Sequence, residues 1–152
     1  DDSDSLLFLS NDTYFEAYSY LEENERGSTL ALIVLGGWIE SLYIMTNLGE
    51  YEEGSNLVAR IGEQKLTVGN LMGFMMKYQD DSNVTEVMEE LADIEELFWS
   101  FEEEEGDDVS TSQEGDVYVL SGGSTIMVSA EQYEKLKELV SELRNEIIEG
   151  EL

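Results

Sequence analysis

The chain has 152 residues, of which 36 are acidic and 7 basic, so its formal net charge is −29 at pH 7. A field of this sign repels nucleic acid and anionic membranes, and no basic patch is present to neutralise phosphate groups. The sequence contains no cysteine and no histidine, which excludes disulfides, thiolate and histidine catalysis, and the usual zinc, copper and iron ligand sets.

The composition predicts one globular domain over residues 1–152, because 41% of the residues are hydrophobic and the length suffices for a real core. Residues 1–10 form an acidic lead-in that we expect to be frayed. Residues 11–13 are typical of a helix N-cap, and aromatic residues follow them at helical spacing to about Asn24. The absence of proline suits a chain of long helices.

The segment 29–48, TLALIVLGGWIESLYIMTNL, is apolar on every face and carries one charge, Glu40. Its helix would be about 30 Å long, which is enough to cross a bilayer. An acid near mid-span costs about 2–3 kcal/mol, however, and the flanks are rich in glutamate. We therefore predict no membrane span but a central bundle helix, capped by Ser28 and covered on all sides. Gly36 and Gly37 predict that another backbone passes close by.

A third helix is predicted over residues 55–78. Its Gly62, Gly69 and Gly73 lie near one face and would complement the glycines of the central helix, so we expect the two helices to approach closely. Its methionines fit either a plastic binding surface or core filling, and core filling is favoured. Two apolar rows predict burial on more than one side: Leu57, Ile61, Val68, Met72 and Met75, and Leu66, Leu71, Phe74 and Tyr78.

A fourth, amphipathic helix is predicted from a capping box of Asn83 and Glu86 to the acidic run 102–108, which is expected to fray into a loop. Residues 107–129 are then expected to form a loop and a β-hairpin, because GDVYVLS and STIMVS alternate around a Gly-Gly turn at 122–123. Ser129 and Gln132 form a second capping box that opens the last helix. The predicted fold is an all-α bundle of about five helices with one β-hairpin before the last.

Polar residues on the two most apolar helices are the best candidates for a site. A carboxylate on an apolar helix is costly unless it is paired, and Arg60 or Lys65 is the natural partner of Glu40. The group could line a ligand pocket, or it could be a structural network that fixes helix register. The structural interpretation is favoured, and no catalytic residue is assigned. The candidate residues are Trp38, Glu40, Tyr43, Arg60, Glu63 and Gln64.

Acidic clusters at residues 1–4, 80–83 and 104–108 raise the question of calcium binding. None of them keeps the ligand spacing of an EF-hand, so a calcium site is considered but not favoured. A di-iron site would need Glu-x-x-His pairs, which a chain without histidine lacks. A catalytic pair of carboxylates stays open, although the number of acids is no argument for one. We expect no cofactor and no metal.

The motif GGWIESLY at residues 36–43 is followed by NLVARIGEQK at residues 56–65. Together with Arg144, Asn145, Ile147 and Ile148 in the last helix, these motifs are similar to those of a group of uncharacterised helical proteins of Bacteroidota. The resemblance covers about residues 14–149. It implies an exported, lipoprotein-like protein in the periplasm or at the outer membrane, and it implies no activity. Longer members of the group carry an upstream helical portion, which this sequence lacks.

The expected function is a non-enzymatic binding or interaction module of the cell envelope, completed by a protein partner or a missing N-terminal helical half. One alternative is an acidic protein stabilised by calcium or salt, and another is an enzyme with a carboxylate site around Glu40 and Glu63. A binding module should expose an apolar patch with Trp38 or Tyr43. An enzyme should bring two carboxylates together in a cleft. A fully buried Glu40 paired with a cation of the third helix would exclude a pocket.

Overall fold

The computed structural model of the protein describes residues 2–106, 110–114, 117–121 and 123–150. Over these residues the chain forms six α-helices and four short strands. The helices are α1 (Asp2–Glu23), α2 (Gly27–Asn47), α3 (Asn56–Gly62), α4 (Gln64–Met75), α5 (Ser82–Trp99) and α6 (Ala130–Glu149), with one 3-10 turn at Met76–Tyr78. The strands are β1 (Glu102–Glu104), β2 (Ser110–Glu114), β3 (Val117–Ser121) and β4 (Thr125–Met127). Since α3 and α4 are two halves of one predicted helix, the predicted all-α bundle with a hairpin before its last helix is confirmed.

The core lies where α2, α4, α5 and α6 meet. The amphipathic pattern of α5 and α6 is confirmed, because their apolar rows are buried while the glutamates between them face water. Burying each large side chain contributes about 1.5–3 kcal/mol. Side chains that are almost fully buried are Leu35, Ile39, Leu42, Ile61, Val68, Met75, Val84, Leu91, Ile94, Phe98, Tyr133, Leu136 and Val140.

The start of the chain differs from the prediction. Helix α1 already begins at Asp2, so residues 11–13 lie inside it and are not its N-cap. It ends in a Schellman motif, in which Arg26 N–H donates to Leu21 O over 2.8 Å and Glu25 N–H donates to Glu22 O over 3.2 Å. Glu25 adopts the left-handed conformation that this cap requires, with φ 58°. Helix α2 follows at once, so Ser28 lies within it and does not cap it.

The third predicted helix is broken at Glu63. Ser55 caps α3 as its position suggests, since its side chain accepts a hydrogen bond from Val58 N–H. The glycine prediction is wrong: a Cβ at Gly36, Gly37 or Gly73 would meet nothing within 4 Å. Strand β4 instead packs closely against Gly62, because a Cβ there would lie 3.0 Å from Ile126 O. The tight backbone approach is between helix and strand, not between α2 and α4.

Two capping boxes were predicted, one at the start of α5 and one at the start of α6. Helix α5 is capped by Asp81, whose side chain accepts from Asn83 N–H, so the predicted cap at Asn83 is wrong by two residues. The helix ends at Trp99, and Glu102–Glu104, the start of the acidic run that was expected to prolong and fray it, form strand β1 instead. Residues 107–108 of that run lie outside the described residues. The capping box of Ser129 and Gln132 is confirmed with both hydrogen bonds formed.

The strands form two separate two-stranded sheets, and their pairing differs from the prediction. Strand β3 pairs with β2 and strand β4 pairs with β1, both antiparallel, so β3 and β4 are not partners. The predicted turn falls on Gly122, which lies outside the described residues, and on Gly123, which lies between β3 and β4 with φ 100°. Alternation identified β3 and β4 as strands but not their partners, because β1 is a run of glutamates with no strand signal.

Candidate functional site

The predicted site residues do not form one cluster. Trp38 and Gln64 do meet, as the Trp38 Nε1–H donates to Gln64 Oε1 over 3.1 Å and links α2 to α4. Arg60 pairs with Glu63 over 2.8 Å at the surface, where both side chains are mostly exposed. Glu40 contacts neither Arg60 nor Lys65, so its predicted partners are wrong. Gln64 Nε2 also donates to Arg60 O over 3.4 Å, so the Trp38–Gln64 and Arg60–Glu63 pairs are neighbours. Glu40 and Tyr43 contact Arg144 of α6 instead.

Glu40 is paired with Arg144 of α6. Arg144 Nε donates to Glu40 Oε2 over 2.6 Å and a terminal nitrogen donates to Oε1 over 3.3 Å. The guanidinium also lies 4.3 Å from the ring centroid of Tyr43, in a cation–π arrangement. The hydrogen bond to Glu40 raises the pKa of Arg144. The Arg144 side chain is 26% exposed and the Glu40 side chain is 47% exposed. The pair therefore lies at the protein surface and is not buried in the core.

Lys65 links α4 to the end of α5. Its Nζ is buried and donates to Phe101 O over 2.8 Å, and it lies 5.5 Å from the ring centroid of Trp99. Phe101 follows the C-terminal end of α5, where free carbonyl groups carry partial negative charge. Lys65 therefore stabilises the transition from α5 into β1 and holds α4 against it.

Two tyrosines that the sequence did not single out close the C-terminal end of α2. Tyr133 OH contacts Thr46 O at 3.2 Å and Gly49 O at 3.1 Å, carbonyls that no helical N–H can reach. Tyr51 OH donates to Val128 O over 3.0 Å, and the two rings lie 5.7 Å apart. Burial, and to a smaller extent the charge of Glu134, raise the pKa of Tyr133. Helical spacing was the only sequence signal at Tyr133. Its burial could therefore be predicted, but its contacts with Thr46 O and Gly49 O could not.

A cavity of about 660 Å³ lies beside β4 and the start of α6, lined by Tyr51, Glu102, Ile126 and Glu131 among others. None of the predicted site residues lines it. Within the part of the chain that the structure describes, no group of three or more Asp and Glu side chains is arranged to hold a metal ion.

Helix α2 is not covered on all sides, contrary to the prediction. Ile33 is 53% exposed and Ile44 is 51% exposed, and with Gly37 they share one side of the helix at spacings of four and seven residues. Together with Ser41, which is also exposed, these residues form what we call the α2 face. A cavity of about 290 Å³ lies on a different side of α2, at Gly36, and is lined also by Leu32, Val87 and Ile147. None of the four residues of the α2 face lines it.

The α2 face is free of unpaired acid in a chain of net charge −29. Between Gly27 and Leu48 the only charged residue is Glu40, which Arg144 neutralises. The neighbouring segment from Gln64 to Tyr78 contains two lysines and no acid. By length and composition alone α2 could cross a membrane: its best window has a mean hydropathy of 1.5, and 33% of that window is buried.

Comparison with protein-family models, with curated proteins and with solved structures finds no match for this chain. The functional interpretation therefore depends on the geometry of the molecule. The resemblance to exported proteins of Bacteroidota stays a prediction.

Proposed function

We propose that the protein is a non-enzymatic interaction module that docks a helical segment of a partner on the α2 face. The observation that carries this proposal is the exposure of Ile33 and Ile44 on one side of the most apolar helix of the chain. Single exposed apolar side chains are ordinary, but two of them on one side of a helix, on a surface whose one acid is paired, are typical of an interaction site.

The surface suits a helix in particular. A docked helix places apolar residues at spacings of three and four residues along a shallow groove. Gly37, on this face, has open space where a side chain would stand, so a partner backbone could come close there. The Glu40–Arg144 pair at the edge of the face offers both charges to polar groups of the partner. Trp38 and Tyr43, which were expected to be the exposed anchors, are half-buried at the two margins.

A docking surface accounts for α2 better than a membrane span does. The opposite side of the helix packs in the core through Leu35, Ile39 and Leu42. Both flanks are acidic, with Glu22, Glu23 and Glu25 before the helix and Glu50, Glu52 and Glu53 after it. Insertion would expose the core and bring these charges to the lipid headgroups.

The location proposed for the protein is extracytoplasmic, in the periplasm or at the outer membrane, and it is supported by the resemblance of GGWIESLY and the Arg60–Lys65 segment to exported proteins. Fractionation of cells that express the natural gene tests it. Recovery with periplasmic or outer-membrane markers is expected, and recovery with cytoplasmic markers would overturn it.

The absence of cysteine allows a direct test of docking. An environment-sensitive dye is attached to a Ser41→Cys variant, which keeps Ile33 and Ile44, and, as the matched control, to Leu66→Cys. Leu66 was expected to be buried, but it is 72% exposed and lies on α4. Each protein is titrated with amphipathic helical peptides whose flanks are neutral, acidic or basic. A saturable blue shift at position 41 but not at position 66 is expected. Equal responses at both positions, or none at either, would contradict the proposal.

A further inference from the structure

Leu48 continues the α2 face by one further turn. It lies four residues after Ile44, it is 70% exposed, and its backbone is still helical, with φ −71° and ψ −23°. It therefore lies on the same side of the helix as Ile44. From Ile33 to Leu48 the exposed apolar side chains span about 22 Å, at a rise of about 1.5 Å per residue, so a partner helix of about four turns would cover them.

Unpaired acids begin directly beyond Leu48. Glu50, Glu52 and Glu53 are exposed, and within the part of the chain that the structure describes none of them forms an ion pair. Consecutive Cα atoms lie about 3.8 Å apart, so the Glu50 Cα is within about 8 Å of the Leu48 Cα. Residues 27–59 include no lysine or arginine, and the C-terminal end of the α2 dipole is negative as well. This end of the face is therefore negative.

The loop that carries these three acids is held in place by its aromatic residue. The Tyr51 ring lies 5.7 Å from the ring of Tyr133, and its hydroxyl donates to Val128 O over 3.0 Å. Ser55 N–H donates to Glu52 O over 3.1 Å and closes a turn. Because the backbone is fixed on both sides of the acids, a partner does not have to order them when it binds.

We infer that the helix bound by the α2 face carries a cluster of basic residues at the end that lies over Leu48, where they meet Glu50, Glu52 and Glu53. This partner chemistry rests on the proposed function, since it specifies the helix that the face binds. The middle of the face needs no such charge, because its one acid, Glu40, is paired with Arg144 of α6. Complementary charge at one end sets the position of the helix along the face and speeds association.

The charge of the partner matters because docking removes water from the acids. A neutral helix lying over Leu48 would take part of the hydration shell of the three glutamates and give nothing in return, which costs free energy. An acidic helix would add repulsion between like charges. A lysine or arginine replaces the lost water with a charge-assisted hydrogen bond.

Peptide titration of the dye-labelled Ser41→Cys protein tests this assignment. Three amphipathic helical peptides share one apolar stripe and carry a group of lysines, glutamines or glutamates at one end. At low salt the lysine peptide should bind about tenfold more tightly than the glutamine peptide, and the glutamate peptide should bind more weakly than both. The difference should shrink as NaCl rises, because exposed charges are screened. Each peptide is made in two versions, with the group at its N-terminal or C-terminal end, and the tighter lysine version gives the direction of the helix.

Variants of the three acids test whether they are the ones that act. The triple variant Glu50→Gln, Glu52→Gln and Glu53→Gln should lose most of the preference for lysine over glutamine. Leu48→Ser should weaken the lysine and glutamine peptides by the same factor, because it removes apolar contact only. An unchanged affinity in Leu48→Ser would overturn the placement of this end of the face.

A charge-matched control is needed because a net charge of −29 attracts every basic peptide. The triple variant Glu86→Gln, Glu89→Gln and Glu90→Gln removes the same number of exposed acids from α5 and should keep the preference. Thermal melts show that both triple variants fold. Equal losses in the two variants would mean general attraction and overturn the inference.

The peptides also separate this inference from the proposed function. If the lysine and glutamine peptides bind position 41 with equal affinity, docking of a helix on the α2 face survives and the basic partner does not. If no peptide changes the dye signal, the proposed function fails and the inference fails with it.

Discussion

Arg144 Nε lies 2.6 Å from Glu40 Oε2, and this contact joins the last helix to the middle of the second across 104 positions of sequence. The pair neutralises the only charge of the long apolar helix at the edge of its exposed face. Because the guanidinium also lies over Tyr43, the pair positions a half-buried aromatic ring at one margin of the proposed docking surface.

Removal of either partner should destabilise the protein. Arg144→Ala leaves Glu40 on an apolar helix without its cation, and it removes the cover over Tyr43, so we expect a lower Tm. Glu40→Ala should lower Tm as well, and the double variant should lose less than the sum of the two because the residues interact. Thermal denaturation measures all three.

Arg60→Ala is the control for this cycle. It removes the exposed pair with Glu63, and pairs of that kind contribute little, so its Tm should stay close to that of the natural sequence. A strictly additive cycle for Glu40 and Arg144 would show that their contact contributes nothing.

Tyr133→Phe removes the hydroxyl that contacts Thr46 O and Gly49 O at the end of α2. Since the Thr46 contact is buried, its carbonyl would be left without this partner, and the free energy of unfolding should fall by about 1–3 kcal/mol. Tyr51→Phe removes a single hydrogen bond, to Val128 O, and should cost about 1 kcal/mol. Urea denaturation distinguishes the two, and equal losses would contradict the role assigned to Tyr133.

The same tyrosine predicts a pH dependence. Burial raises the pKa of Tyr133 from its ordinary value of 10.0, so the folded state keeps this proton longer than the unfolded state does. Below about pH 10 the group is protonated in both states, and above it stability falls as pH rises. Between about pH 9 and pH 11 the natural sequence should therefore lose more stability than Tyr133→Phe does. Parallel losses would show that other tyrosines or lysines govern alkaline unfolding.

Salt should stabilise the fold without regard to the cation. A net charge of −29 opposes compaction, and screening of that repulsion raises Tm as ionic strength rises. A melt in NaCl and in CaCl2 at matched ionic strength should give equal shifts. A larger shift in millimolar calcium would point to specific carboxylate sites and favour the ion-responsive alternative.

Helix periodicity predicted the bundle well, because an amphipathic face records which side of a helix is buried. The rows of α5 and α6 from Val84 to Phe98 and from Tyr133 to Leu143 are buried as expected. The same reasoning failed for the central helix, α2. It is apolar on all sides, so its pattern carried no information on which side the neighbouring helices would leave open, and Ile33 and Ile44 were expected to be buried.

Long-range partners could not be predicted for a similar reason. Glu40 requires a cation, but the sequence does not say which of several lies nearest in space, and proximity in the chain suggested Arg60 over Arg144. The pairing of β4 with β1 depended on acidic residues that resemble a fraying helix end. The local capping rule held at Ser129 and Gln132 but failed at Asn83 and Glu86, where Asp81 caps the helix instead.

The exposed glycine of α2, Gly37, should separate stability from docking. Gly37→Ala meets nothing within 4 Å, so the gain in helix propensity should raise the free energy of unfolding by up to about 1 kcal/mol. The added methyl group would fill the place at which a partner backbone approaches, so the same variant should weaken docking. Gly73→Ala, which also has open space but lies on α4, should gain stability without that loss.

Gly62→Ala completes the comparison. Its Cβ would lie 3.0 Å from Ile126 O and 3.1 Å from Ile126 Cβ, so strand β4 must shift and the free energy of unfolding should fall, despite the better helix propensity. Denaturant unfolding of the three variants, paired with peptide titration of the dye-labelled protein, measures both effects. If Gly37→Ala and Gly73→Ala behave alike in both measurements, the opening at Gly37 has no role in binding and another side of the bundle must carry the contact.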